Sequence, residues 1–253
     1  MRTQKPHKIR DMFNISALSN TDPALDISRL LRVFEHAVAY AETNDGIGLT
    51  KSGAFNHKFC HWLAETYDWS EHSADHLLRI QKVLNEDDVL PALIAHELCA
   101  ELKLGRHVKG KFQFMKPGLA KIEDRGQFFA DLARYYLFQY IWPYREPVAA
   151  PGNWDVYINV LNIEAEKSGV TCSDMLKVYY GFEASERFDS PEARSHFRYV
   201  KFEILDRLYW LGLLDRTKKS DDWSFEAVYT KTDLWRAALE LDPIPDFIKS
   251  KAH

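Results

Sequence analysis

The sequence predicts a mainly α protein made of two tandem winged-helix-like lobes with short β-hairpin wings, joined by a helix and a proline-rich linker. Three observations lead there. From Glu86 to Ile122 the hydrophobic period changes: Val89, Leu90, Leu93, Ile94, Leu98 and Leu102 recur every three or four residues, then apolar Val108, Phe112 and Phe114 alternate around Lys109-Gly110. Pro143, Pro147, Pro151 and Gly152 crowd one short stretch and mark a boundary. Beyond it the order helix, short strand, helix, helix, two-strand ribbon, helix recurs as a pattern, with little identity between the halves. The expected division is a tail to residue 22, a first lobe with its connecting helix over 23–142, a linker over 143–152 and a second lobe over 153–253.

Each element has its local reason. Ser28 to Thr43 is predicted helical, with Leu30, Leu31, Phe34, Ala37, Val38 and Ala41 on one side and Asn44-Asp45-Gly46 as its breaker. Ile47 to Thr50 reads as a short strand, and Phe55 to Glu65 as a helix with Phe55, Phe59, Trp62 and Leu63 buried. Residues 74 to 84 hold a helical turn or two. Asn85 is expected to cap the next helix, with acids in its first turn, and Gly105 to end it. From Lys116 to Trp142 the chain reads as helix, interrupted near Asp124-Arg125-Gly126; its aromatics suit a core better than a base-stacking platform.

In the second half, Trp154 to Lys167 is predicted helical, Gly169 to Cys172 a short strand, and Ser173 to Tyr180 a helix begun by its serine. Ser190-Pro191 opens a long third helix, with serine at the cap and proline at the first helical position. Phe197, Val200, Ile204, Leu208 and Leu211 form its apolar line. Leu213 to Thr217 and Ser224 to Thr230 are the expected ribbon strands around a polar tip, and Thr232 caps a last helix through Leu239.

Composition limits the function classes. With 46% hydrophobic and 28% charged residues and a formal net charge of −4, the chain reads as a soluble globular protein whose overall field opposes nucleic-acid binding, so any such surface must be local. Three scattered cysteines, Cys60, Cys99 and Cys172, make no disulfide framework and suit a reducing, cytoplasmic setting. The basic N-terminus lacks a following apolar stretch, and Phe128 to Trp142 is too short to span a bilayer, so no membrane partner is expected.

Several motifs fail on residue identity. Gly46 to Gly53, GIGLTKSG, lacks the Gly-Lys-Ser/Thr order of a phosphate loop, and His96-Glu97 is followed by Ala100 where a zincin needs its second histidine. His57, Cys60, His61, His72, His76, His96 and Cys99 include helix-compatible ligand pairs but no fixed four-ligand spacing, so no metal is assigned. No acid pair, nucleophile with base, or cofactor loop stands out; the sequence assigns no catalytic residue and no cofactor.

Two local basic features remain. From Leu102 to Ile122 there is no acidic residue, and Lys103, Arg106, Lys109, Lys111 and Lys116 lie around the ribbon, as phosphate contacts of a wing would. Arg194, Arg198 and Lys201 follow at i, i+4 and i+7 near the start of the third helix of the second lobe, where a recognition helix presents side chains. Against this, the equivalent helix of the first lobe begins Glu86-Asp87-Asp88, which repels phosphate, and a solvated charged face explains either patch alone equally well.

At GIGLTKSGAFNHKFCHWLAE and ELKLGRHVKGKFQFMKPGLA the chain resembles uncharacterised bacterial proteins that include the helical part of plasmid pRiA4b ORF-3-like proteins, over roughly residues 30 to 125. Leu49-Thr50-Lys51-Ser52-Gly53 and Lys116-Pro117-Gly118-Leu119 carry the likeness, which implies a bacterial cytoplasmic protein and no established activity. The expected function is a nucleic-acid-binding or regulatory protein with DNA as partner. The alternative is a protein-protein interaction module that uses winged helices as scaffold.

Overall fold

The computed structural model describes residues 13–142, 154–165, 169–183, 190–218 and 227–241. They are mainly helical, with strands only in small two- and three-stranded antiparallel sheets. The described parts fall into two compact units: one holds Ala17–Leu132 with Trp210–Leu213, the other the remainder. The linker expected at 143–152 lies outside the described residues. So does the polar tip of the second ribbon.

Phe13–Ile15, expected within the tail, is a strand, β1. In the first unit α1 spans Arg29–Asn44. The Ser28 hydroxyl accepts from Leu31 N–H at 3.3 Å, and Asp45 in left-handed conformation ends the helix. Leu30, Leu31, Phe34, Ala37 and Ala41 are buried, as their spacing predicts. β2 is Ile47–Gly48 and α2 is His57–Thr66, capped by Asn56. Phe55 precedes α2 in a bridge to Leu49. α3 is a single turn, Ala74–Leu77.

The next helix differs from expectation at both ends. Asn85 heads a separate 3-10 turn, Glu86–Asp88, and α4 runs Leu90–Glu101 with Pro91 in its first turn. Rather than one apolar face, α4 buries Ala92, Leu93, Ile94, Ala95, Leu98 and Cys99, because its alanines let neighbours close on it from several sides. Lys103, at φ 55°, turns the chain out of the helix. Gly105 does not stop it but begins β3, where a Cβ would meet the Phe112 ring at 2.4 Å and the Gln113 carbonyl at 2.5 Å.

β3 (Gly105–Val108) and β4 (Lys111–Phe114) form the expected ribbon, with His107 opposite Phe112. Positive φ at both Lys109 and Gly110 gives the turn whose twist suits a two-residue hairpin. β2 pairs with β4, making the order β2-β4-β3 and leaving β3 as an edge. α5 (Lys116–Glu123) and α6 (Arg125–Phe138) are separated at Asp124, as the sequence suggests.

In the second unit β1 pairs with β7, Leu239–Leu241, through Phe13↔Leu241 and Ile15↔Leu239. α7 is Trp154–Glu164. Val170 makes a two-hydrogen-bond bridge to Tyr229, at 2.9 and 2.8 Å. α8, Cys172–Tyr180, is capped by Thr171 rather than by Ser173, since Thr171 and Asp174 satisfy each other's backbone N–H groups. α9, Pro191–Tyr199, starts at Ser190 and Pro191 as predicted. The third helix is not uniform, however: a π segment, Val200–Leu205, separates α9 from α10, Asp206–Leu211. β5 (Leu214–Lys218) and β6 (Ala227–Lys231) make the second ribbon, and α11 (Asp233–Ala238), capped by Thr232, yields to β7 one residue before its expected end.

Candidate nucleic-acid interface

The first ribbon collects most of the predicted cations. Arg106 stands exposed on β3, Lys109 at the hairpin tip, Lys103 just after α4 and Lys116 at the start of α5. Strand alternation puts Arg106 on the face opposite His107. Lys111 has partners that the sequence does not announce. Its ammonium donates to the Asn44 carbonyl at 3.1 Å, the Asp45 carbonyl at 2.9 Å and the Asp45 carboxylate at 3.1 Å, so it ties β4 to the end of α1.

α4, the helix that precedes this ribbon, offers no cation. LPALIAHELCAE contains no lysine or arginine. Its polar feature is a chain of contacts that the sequence did not reveal. Glu86, 5% exposed, accepts from Phe55 N–H at 2.9 Å and lies 2.7 Å from His96 Nδ1. His96 Nε2 in turn lies 3.1 Å from His107 Nε2, and the Phe55 ring stacks on the His96 ring at 4.1 Å. The local signal is a histidine set in a largely apolar helix; its partners come from three other places in the chain.

The rest of the His/Cys set disperses. Cys60 and Cys99 are fully buried, and His61 Nε2 accepts from Leu84 N–H at 3.0 Å. Burial, reinforced by Glu86 and Asp88, pushes the Cys60 thiol up to about 12, and burial alone pushes Cys99 higher. Among the described residues no three His, Cys, Asp or Glu side chains group as metal ligands.

In the second unit Arg194 and Arg198 are exposed on α9. Lys201 is not with them. Its ammonium lies 2.8 Å from Asp206, which also accepts from Arg216 at 3.0 Å and from the Tyr229 hydroxyl at 2.9 Å. Burial first, then the Asp206 charge, holds Tyr229 well above the usual phenol range. At the next residue the buried Arg207 guanidinium bonds Glu203 at 2.7 and 3.1 Å and the Tyr136 carbonyl. The π segment between α9 and α10 holds Glu203 in this cluster. Two of the three predicted helix cations thus face solvent, and the third is structural.

No described helix is long and apolar enough to cross a membrane. A model of the Y4jL N-terminal domain matches residues 26–127, and a model of the y4jL C-terminal domain matches residues 144–233. "Uncharacterized protein y4jL" of Sinorhizobium fredii (strain NBRC 101917 / NGR234) is 36% identical over 188 residues, 70% of this chain and 83% of that protein. No solved structure matches. The likeness to pRiA4b ORF-3-like proteins is thereby overturned: both stretches taken to carry it fall inside the Y4jL N-terminal domain match. With both domains matched in order and a relative aligned over most of its length, the chain belongs to the y4jL family.

Proposed function

We propose that this chain is a bacterial cytoplasmic regulatory protein that binds nucleic acid through two winged helix-turn-helix units of unequal roles. Supporting the fold reading, each unit runs helix, short strand, helix, third helix, ribbon, and in each the short strand pairs with the returning ribbon strand: Ile47 with Phe112, Val170 with Tyr229. The observation that carries the function is α9, whose exposed positions include Ser195 and, about one helical turn apart, Arg194 and Arg198, at the start of the third helix. That is the recognition position. In the other unit α4 is buried and lacks cations, so its part is phosphate contact by Arg106 and Lys109 of the ribbon, with Lys103 and Lys116 beside it.

A low-salt mobility shift with mixed-sequence duplex DNA and RNA tests this. Binding is expected in the range of about 1–100 μM typical of non-specific contacts. Arg106→Glu with Lys109→Glu should weaken every duplex alike and flatten the salt dependence, whereas Arg198→Ala should change sequence preference. Unshifted DNA and RNA at tens of micromolar would remove the reading.

A second reading, a protein interaction module, is favoured by a specific observation. Leu78, Ile80 and Val83 are 42%, 75% and 50% exposed within one short stretch of the first unit. In that reading the buried α4 is scaffold.

A further inference from the structure

The histidine pair of the first unit joins α4 to the ribbon. β3 is an edge strand, bonded to β4 on one side. His107 on β3 reaches His96 on α4, Nε2 to Nε2 at 3.1 Å, and Glu86 fixes the far nitrogen of His96 at 2.7 Å. Two ring nitrogens at that distance hold a single proton between them. With both rings neutral, His96 Nδ1–H donates to Glu86, and His96 Nε2 accepts from His107 Nε2–H. One added proton is accommodated: His96 becomes imidazolium between Glu86 and the Nε2 lone pair of His107, whose own proton moves to Nδ1 through solvent. A second proton leaves N–H facing N–H and cation facing cation.

We propose that His96 and His107 form a proton-operated latch between α4 and the ribbon, closed while at most one ring is charged and open when both are. Histidine is the side chain that changes charge between about pH 5 and 8. The surrounding groups leave this pair in control. Glu86 approaches from the turn before α4, and Asp88 on the same turn is engaged by Asn85 N–H. Cys60 on α2 lies near Glu86 and stays neutral there. From β4 the Phe112 ring lies 6.1 Å from each imidazole, while Lys111 turns to Asp45. Arg106 alternates to the other face of β3, and Glu97, the next residue of α4, projects about 100° from His96.

The latch operates without nucleic acid. Imidazole nitrogen NMR at pH 8 should find His96 protonated at Nδ1 and His107 at Nε2. Amide protection factors over Arg106–Phe114 should fall tenfold or more between pH 8 and pH 5 in the wild type, and less than twofold in His107→Gln, an exposed position that keeps a polar side chain. His96→Gln should also flatten the profile. A wild-type profile shared by both variants overturns the latch. So does a Zn2+-induced rise in melting temperature that His107→Gln abolishes, because that would make the pair a metal site.

Discussion

Lys111 and Lys201 are the side-chain type that a phosphate contact needs, and each lies beside a carboxylate, Asp45 and Asp206. The two ion pairs differ in worth. Asp45 is 86% exposed, so screening leaves its bond to Lys111 at about 0–1 kcal/mol. Lys111→Ala is therefore expected to lower stability by no more than about 1 kcal/mol in urea denaturation. Arg207 and Glu203 are 1% and 5% exposed in their side chains. Removing the guanidinium strands a buried carboxylate, so Arg207→Ala should cost about 3–5 kcal/mol by the same measurement, and Arg207→Met with Glu203→Leu should cost less than Arg207→Ala alone.

Cys60 gives a pH dependence with a definite sign. Its folded thiol is raised to about 12, above the unfolded value of about 8.5. Below that unfolded value both states keep the proton and the thiol contributes nothing to the slope. As pH climbs from there toward about 12 the unfolded chain alone loses the proton, and stability falls. Denaturation midpoints should decline across that window, and decline less in Cys60→Ala. At neutral pH an aromatic disulfide reagent should find no reactive thiol among Cys60, Cys99 and Cys172 until the protein unfolds, since all three are buried.

At the scale of elements, glycines discriminate between open turns and close approaches. A Cβ on Gly118 of α5 would sit 1.9 Å from the Leu104 carbonyl oxygen, whereas nothing lies within 4 Å of one on Gly110. Gly118→Ala should therefore lower the melting temperature well beyond Gly110→Ala, which meets only the strain of φ 77°. Differential scanning calorimetry compares them directly. These elements also show what the residues disclosed in advance. The hairpin was legible because Lys109-Gly110 sits between alternating runs, and the starts of α1 and α9 because Ser28 and Ser190 precede periodic helices. The strand Phe13–Ile15 was not, since its partner lies more than two hundred residues later and three residues carry no period. One buried face of α4 was legible from Leu93, Ile94 and Leu98, but its burial on further sides through Ala92, Ala95 and Cys99 was not, because alanines weigh little in a periodicity count. The bond from Lys111 to Asp45 was not legible because the partners are distant in sequence, and the π segment leaves no local signal in Val200–Leu205.

For the whole molecule, chain order and unit membership do not coincide. The first unit takes Trp210–Leu213 from the end of the third helix of the other half. Trp210 meets Trp69 at 4.4 Å between ring centroids, and Gly212 lies against the backbone of Ile27 and Ser28, where a Cβ would come within 2.6 Å of the Ile27 carbonyl oxygen. A fragment of residues 13–142 is therefore expected to melt below the full chain and to bind a hydrophobic dye; two-state melting with a native near-ultraviolet spectrum would contradict this. The interleaving also bears on descent. A gene rearrangement that cut within residues 143–152 would pass on a first unit short of four of its own residues, and one that began there would lose the strand partner of Leu239–Leu241. Neither product inherits a finished core, so either half exchanged alone is expected to be less stable than the intact chain.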